Sequence, residues 1–323
     1  MEHKKSYSWV RLNDILKAQQ VIGDYIHRTP MTSSTNLGQR IGVKLYFKAE
    51  VFQKTGSFKP RGALNKLYHM TEEEKEQGVI TISAGNHAQG LAYAASLMGV
   101  NATVVMPLTA VKSKIKATKG YGAEVILHGT GKDLIAKCRQ LQQERDLILV
   151  HPFDDPFIIA GQGTMGLEIL EDVITPDMVV VPVGGGGLIS GIATAIKSKN
   201  PNVKIIGVEP IGAAVMTQSL KQDMVISLNN IDTIADGLAA PFAGEYTLAH
   251  VKKYVDEIVL VSDKEIIAAL RLILERCKIL TEPAGAAGFA ALLFKKIAIR
   301  KGTQVVCVLS GGNIDRSFLK EIL

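Results

Sequence analysis

Apolar runs rich in β-branched residues alternate with amphipathic segments along the chain. Such runs predict buried strands, and segments whose apolar residues recur every three to four positions predict helices. Strands are predicted in this way near residues 45, 78, 101, 123, 147, 177, 203, 256 and 304. Helical patterns adjoin them, for example LISGIATAIKSKN after the strand near 177. This alternation is typical of parallel sheets covered by helices.

The strands fall into two groups, which predicts an α/β protein with two open twisted sheets and flanking helices. In open α/β sheets, ligands bind beyond the carboxyl ends of the strands. We therefore expect the functional residues to lie in the loops that follow the strands.

The composition is that of a folded globular protein, with 323 residues of which 47% are hydrophobic and 21% charged. The three cysteines, Cys138, Cys277 and Cys307, are odd in number and widely spaced. This spacing indicates neither a disulfide framework nor a structural zinc site. The polar N-terminus lacks the apolar core of a secretory signal, so a cytoplasmic location is expected.

The formal net charge of +6 does not predict a nucleic-acid partner, because Lys and Arg are interspersed with Asp and Glu. A membrane span is not predicted either. The longest strongly apolar stretch, Met178 to Ile196, is broken by Pro182 and four consecutive glycines. The charge instead favours a modestly positive surface that suits anionic small molecules.

The segment VVVPVGGGGLISGIATAIK predicts a buried strand, a glycine loop from Gly184 to Gly187, and a helix. Glycines let successive backbone N–H groups converge on an anion, and the N-terminus of the following helix adds to the attraction. A tight turn alone would need only one glycine. The segment therefore predicts a phosphate-binding loop.

A second glycine pattern, GQGTMG, satisfies the dinucleotide-binding spacing at Gly161, Gly163 and Gly166. The preceding DDPFIIA is a poor strand, and the position about 20 residues further on, where an acidic ribose partner is expected, falls in the glycine loop. A nicotinamide-dependent dehydrogenase is therefore the weakest of the alternatives.

Lys59 stands just before Pro60 in KTGSFKPRGALNKL, where a helix is predicted to begin. Near the positive end of a helix the ammonium form is disfavoured, which makes the amine a better nucleophile and base. Taken alone, Lys59 could equally be a solvated surface lysine.

Two further strands end in polar or glycine-rich turns. In TISAGNHAQGLAYAA, Ser83, Asn86 and His87 follow a strand and could bind a carboxylate, although Ser83 and Asn86 could also simply cap the helix. In VVCVLSGGNI, a strand ends at Ser310, where a plain turn is the alternative.

In combination, these segments resemble the fold type II (tryptophan synthase β-like) pyridoxal-phosphate enzymes, and within them the serine/threonine dehydratases and the related serine racemases. SFKPRGA, SAGNHAQG, AGQGT, PVGGGGLISG, IADG, TEPAGA and LSGGN occur in the family's order along nearly the whole chain. The resemblance implies a large cofactor-binding domain formed by residues 1–68 and 152–323, and a small substrate-loop domain at 76–150.

The resemblance also assigns roles to particular residues. Lys59 would carry pyridoxal 5'-phosphate covalently, Asn86 would bond its ring hydroxyl, and Ser310 would face its pyridine nitrogen. The residues implied to bind the cofactor are Lys59, Asn86, Gly184, Gly185, Gly186, Gly187, Leu188 and Ser310. Those implied to bind the substrate are Ser83, Asn86, His87 and Gly237.

The implied reaction is the elimination of water and then ammonia from L-threonine or L-serine, with Lys59 as the base. A serine racemase is the alternative within the family. In the racemases that the chain resembles, the residue directly after the one matching Ser83 is a second serine, which acts as an acid. In this chain that residue is Ala84. Because a methyl group cannot transfer a proton, Ala84 favours dehydration. A non-enzymatic binding protein with the same fold is the third alternative. The presence of Lys59 argues against it.

The resemblance leaves two additional sites to consider. Glu209 matches one ligand of a cation site, but Val215 stands where a second carboxylate would be expected, so a tightly bound divalent metal is not predicted and a loosely held cation stays an alternative. The segment TSSTN at 32–36, with Gln89, Tyr121, Lys278 and Asn313, resembles a nucleotide effector site at a subunit interface. A homodimer or homotetramer is therefore expected.

Overall fold

The strands form two separate sheets in the computed structural model, which describes residues 9–322. In chain order they are β1 Met31–Ser33, β2 Lys44–Ala49, β3 Val79–Ile82, β4 Ala102–Met106, β5 Glu124–Leu127, β6 Ile148–Leu149, β7 Met178–Pro182, β8 Lys204–Pro210, β9 Glu257–Val261 and β10 Gln304–Leu309. The six-stranded sheet has the order β1-β2-β10-β7-β8-β9, and the four-stranded sheet the order β5-β4-β3-β6.

The α-helices of the described residues connect and cover these strands. They are α1 Leu12–Ile22, α2 Thr35–Ile41, α3 Lys59–Tyr68, α4 Glu72–Gln77, α5 Asn86–Met98, α6 Lys112–Gly120, α7 Lys132–Arg145, α8 Pro156–Asp172, α9 Gly187–Lys199, α10 Val215–Gln222, α11 Glu245–Tyr254, α12 Asp263–Cys277, α13 Pro283–Leu293 and α14 Arg316–Ile322. None of these helices combines the length and apolar composition needed to cross a bilayer.

The predicted fold class is confirmed, and the pairing shows why the strands are so apolar. Every neighbouring pair except β1–β2 is parallel. Parallel strands have helices on both faces and are buried on both. All five residues of β7 are accordingly buried, as are all five of β4.

The expectation of purely parallel sheets is wrong at one edge. Strand β1 pairs antiparallel with β2, in register Met31 with Lys48 and Ser33 with Tyr46. It has three residues, none of them fully buried. Its sequence, MTS, has a single apolar residue and so forms no apolar run, which is why the sequence did not predict it.

The GQGTMG segment lies inside α8 and not at a strand-to-helix turn. Its glycines are contact points between helices. A Cβ at Gly161 would lie 2.4 Å from the carbonyl oxygen of Arg61 in α3, and one at Gly166 would lie 3.0 Å from that of Ile192 in α9. The glycines therefore let α8 pack closely on its neighbours, and the dinucleotide interpretation is excluded by this placement.

Candidate active site

The loops after β3, β7 and β10 meet at the carboxyl ends of the two sheets and enclose a cavity of about 300 Å³. In the six-stranded sheet β7 and β10 are neighbours, so the loops that follow them lie side by side. The residues predicted from the sequence for the site all line this one cavity: Lys59, Ser83, Asn86, His87, Gly184, Gly185, Gly186, Gly187, Leu188, Gly237 and Ser310.

Lys59 is the first residue of α3, followed by Pro60, whose fixed backbone suits the first turn of a helix. Its Nζ donates a hydrogen bond to the carbonyl oxygen of Pro152 over 2.8 Å. Burial lowers the pKa of the Lys59 ammonium to about 8, although the carboxylate of Glu282 opposes the change. Burial is therefore the main cause of the lowered pKa of this amine.

Helix α3 is held in place by a buried ion-pair cluster around Arg61, whose side chain is fully inaccessible. Arg61 Nη2 lies 2.8 Å from Glu50 Oε1, and its Nη1 lies 2.7 Å from Glu168 Oε1. Both carboxylates raise the pKa of the guanidinium against the opposing effect of burial. Because Arg61 stands two residues after Lys59, this cluster fixes the start of the helix that carries the amine.

Two histidines near Lys59 are held in their neutral form. The pKa of His87 lies well below its usual value. Burial is the larger cause, and the positive charge of Lys59 adds to it. Burial also lowers the pKa of His151 to about 4. The ring of His87 contacts the carbonyl oxygen of Val150 at 3.3 Å. These two imidazoles therefore add no positive charge beside the amine at neutral pH.

The glycine loop joins β7 to α9, and the packing around it explains the run of four glycines. A Cβ at Gly185 would lie 2.4 Å from the ring of Phe153, and one at Gly187 would lie 2.9 Å from the Phe153 carbonyl oxygen. Gly186 has φ +94°, in the left-handed region that favours glycine. The first N–H groups of α9 have no partner within the helix and are available at the cavity.

The side chain of Asn86 belongs to a network that the sequence did not reveal. Its Nδ2 donates to Glu282 Oε1 over 2.6 Å, and its Oδ1 accepts from Asn313 Nδ2 over 2.8 Å. The amide carries two N–H donors, so one remains available to a ligand. Asn313 also donates to the carbonyl oxygen of Thr55, over 2.7 Å.

Glu282 is the site residue that the sequence reasoning missed. It lines the cavity and is only 2% exposed. Burial and the nearby Asp236 raise its pKa to about 7, against the opposing effects of Lys114 and Asn86. The available signal was an acidic residue just before Pro283 in TEPAGA, where a helix begins.

The remaining predicted residues contribute to the cavity wall. Ser83 accepts a hydrogen bond from the Gly85 N–H over 3.2 Å, so its hydroxyl stabilises the turn before α5. Ala84 also lines the cavity. The carbonyl oxygen of Ser310 accepts from the Phe58 N–H over 3.1 Å, which joins the end of β10 to the residue before Lys59.

Glu209 caps a helix in this structure. Its carboxylate accepts from the N–H groups of Met216 and Thr217 and from the Thr217 hydroxyl, at 2.6 to 2.8 Å. Burial raises its pKa to about 7. Within residues 9–322 no three His, Cys, Asp or Glu side chains are grouped so that they could hold a metal ion.

The sequence profile described as "Pyridoxal-phosphate dependent enzyme" matches residues 22–311. The chain therefore belongs to the family of pyridoxal-phosphate-dependent enzymes. It is 47% identical to an L-threonine ammonia-lyase of Thermotoga maritima, over 97% of this chain and 78% of that protein.

Solved structures support the same family assignment. Maize serine racemase has a TM-score of 0.93 and 39% identity, covering 97% of both chains. The processed form of threonine deaminase isoform 2 from Solanum lycopersicum has a TM-score of 0.90 and 39% identity, covering 98% of this chain and 94% of that one. The resemblance stated from the sequence motifs is confirmed.

The residues around the cavity fit pyridoxal 5'-phosphate. The cofactor needs a reactive amine, and the amine of Lys59 has a lowered pKa. It also needs a site for a doubly charged phosphate, and a glycine loop at a helix N-terminus is such a site. The volume of about 300 Å³ lies at the lower end of the range for small-molecule pockets.

Proposed function

We propose that this protein converts L-threonine or L-serine to 2-oxobutyrate or pyruvate, with release of ammonia. The observation that carries the proposal is the lysine amine with a pKa of about 8 in a cavity bordered by a glycine loop. The similarity to an L-threonine ammonia-lyase and to a threonine deaminase supports the choice of reaction.

The proposed cofactor-binding roles are those that the family resemblance implies, and their support is that the residues line one cavity. Lys59 holds the cofactor covalently, and the N–H groups of Gly184 to Leu188 bind its phosphate. The free N–H of Asn86 bonds the ring hydroxyl, and the hydroxyl of Ser310 faces the pyridine nitrogen. A neutral hydroxyl at that nitrogen leaves it largely unprotonated, which favours elimination over reactions that need a long-lived carbanion.

The bound cofactor supplies electron withdrawal from the carbon that bears the amino group. The chain would supply the proton transfer: once the amino group of the substrate has displaced Lys59 from the cofactor aldehyde, the freed neutral amine would take the proton from that carbon. With a pKa lowered to about 8, a much larger fraction of this amine is neutral at pH 7 than for an ordinary lysine. Ser83, Asn86, His87 and Gly237, which line the same cavity, are the proposed substrate-binding residues.

Serine racemisation is the second candidate, favoured by the close structural similarity to maize serine racemase. It requires a second acid on the opposite face of the same carbon. Ala84 lines the cavity directly after Ser83, and its methyl group can neither donate nor accept a proton. Elimination is therefore the better supported reaction.

Three further features belong to the proposal. The protein acts in the cytoplasm as a homodimer or homotetramer, and the 32–36 segment with Gln89, Tyr121, Lys278 and Asn313 binds a nucleotide effector. The hydrogen bond from Asn313 to Asn86 supports a link between that site and the cavity. Light scattering tests the assembly, and 2-oxo acid formation with and without added nucleotides tests the effector.

The experiment that tests the proposed function compares Lys59→Ala with Lys116→Ala, which changes an exposed lysine of α6. Lys59→Ala should abolish 2-oxo acid formation and the visible absorbance of lysine-linked cofactor, while circular dichroism shows an intact fold. Lys116→Ala should keep both properties. Near-normal ammonia release by Lys59→Ala would overturn the assignment.

A further inference from the structure

Thr247 contacts the glycine loop from outside the cavity. It is the third residue of α11 and is fully buried, and it is not among the residues that line the cavity. Its Oγ1 donates to the carbonyl oxygen of Gly185 over 2.7 Å and accepts from the Gly244 N–H over 3.0 Å. The Gly244 carbonyl oxygen is a more distant acceptor, at 3.2 Å.

The backbone of Thr247 makes a second contact with the same region. Its carbonyl oxygen accepts a hydrogen bond from Ser190 Oγ, over 3.3 Å, and Ser190 lies in the first turn of α9. The first turn of α11 is therefore joined both to the glycine loop and to the helix that follows it.

The hydrogen bond to the Gly185 carbonyl sets the orientation of the Gly185–Gly186 peptide group. In a planar trans peptide, the carbonyl of one residue and the N–H of the next point in opposite directions. A Gly185 carbonyl that faces Thr247 therefore turns the Gly186 N–H away from Thr247, and Gly186 itself lines the cavity. Glycine peptides rotate easily, so without this bond the loop could present a carbonyl oxygen to the phosphate.

Asp154 fixes the position of Thr247 in turn. Its carboxylate accepts from the Glu245 N–H over 3.0 Å and from the Thr247 N–H over 3.1 Å, which caps the start of α11. A Cβ at Gly244 would lie 2.1 Å from Asp154, so the carboxylate is packed directly against this turn.

We propose that Thr247 is a positioning residue for the phosphate of the cofactor: its hydroxyl fixes the Gly185–Gly186 peptide so that the Gly186 N–H faces the phosphate. The inference rests on the proposed role of the glycine loop. Thr247 itself does not touch the cofactor, and its effect is confined to the phosphate end.

The test compares the dissociation constants of the cofactor-free protein for pyridoxal 5'-phosphate and for pyridoxal, which lacks the phosphate. Both are followed through the absorbance of the lysine-linked form. Thr247→Val removes the hydroxyl at nearly constant volume and should weaken pyridoxal 5'-phosphate binding about tenfold, the effect of one buried hydrogen bond. Its affinity for pyridoxal should stay at the wild-type value.

Thr247→Ser is the matched control, since it keeps the hydroxyl and should keep the wild-type affinity for both ligands. If Thr247→Val does not fold, Thr247→Ala takes its place with the same expectation. An equal loss of affinity for both ligands, or no loss for either, would overturn the inference. A wild-type protein that binds both ligands equally well would instead overturn the phosphate role of the glycine loop itself.

Discussion

The amide of Asn86 donates a hydrogen bond to the buried carboxyl of Glu282 over 2.6 Å. This bond joins the first turn of α5, which follows the four-stranded sheet, to the residue before α13, which covers the six-stranded sheet. A buried titratable group thus connects the elements on the two sides of the cavity. Protonation of the Glu282 carboxyl therefore changes both the stability of the protein and the charge near Lys59.

The first prediction concerns the pH dependence of stability at Glu282. Its pKa is about 7 in the folded protein and near 4.5 in the unfolded chain, so the folded state binds the proton more tightly. The resulting stabilisation is complete below pH 4.5 and is lost as the pH rises to about 7. Glu282→Gln keeps an acceptor for Asn86 and lacks this dependence.

We therefore compare the free energies of unfolding of the wild type and Glu282→Gln. The wild-type value minus the variant value should fall by about 3 kcal/mol between low pH and pH 8. Urea unfolding of both cofactor-free proteins over this range measures the difference. Parallel stability curves for the two proteins would show that the carboxyl has an ordinary pKa.

The second prediction concerns the reactivity of Lys59. Only a neutral amine reacts with an aldehyde, and burial lowers the pKa of this ammonium to about 8. The rate at which the cofactor-free protein links pyridoxal should rise with pH and level off above about pH 8. Glu282→Gln removes the opposing negative charge, so its midpoint should lie lower. A rate that still rises steeply above pH 9 would indicate an ordinary lysine.

The third prediction concerns Gly161 in the GQGTMG segment. A Cβ at this position meets backbone of α3 at 2.4 Å, so Gly161→Ala should destabilise the protein by about 1 to 3 kcal/mol. Gly120→Ala is the control, because a Cβ there has nothing within 4 Å. Urea unfolding measures both variants, and equal stabilities would contradict a packing role for Gly161.

The fourth prediction concerns Ala84. If the absent hydroxyl prevents proton delivery to the second face, Ala84→Ser should raise the fraction of D-serine formed from L-serine. The gain depends on the hydroxyl lying within about 3 Å of the carbon. Ala84→Gly, which removes the methyl group without adding a hydroxyl, should leave the fraction unchanged. Chiral chromatography distinguishes the products, and a rise in both variants would mean that space, not the hydroxyl, is limiting.

Most of the fold could be predicted because its signals are local. Every strand predicted from the hydrophobic pattern is present, including β6 with only two residues. Strand β1 was missed because its three residues, MTS, contain no apolar run. The domain boundaries at 68, 76 and 150 to 152 stay a prediction, and the part of the N-terminal interpretation that concerns residues 1–8 lies outside the described residues.

The site was predictable where a motif follows a strand, and less so where function depends on distant contacts. As predicted, Lys59 lies at the start of a helix, α3, and the glycine loop lies between strand β7 and helix α9. The sequence could not show that Phe153 packs against the glycines, that Asn86 bonds Glu282, or that burial governs the pKa of Lys59. Each of these depends on residues far apart in the chain, which no local pattern records.

The most direct test of the central claim is the product analysis of the wild-type enzyme with L-threonine and with L-serine. We expect 2-oxobutyrate from L-threonine and pyruvate from L-serine, each formed together with one equivalent of ammonia, and very little D-serine. D-serine formed from L-serine as fast as pyruvate would contradict the assignment as a dehydratase.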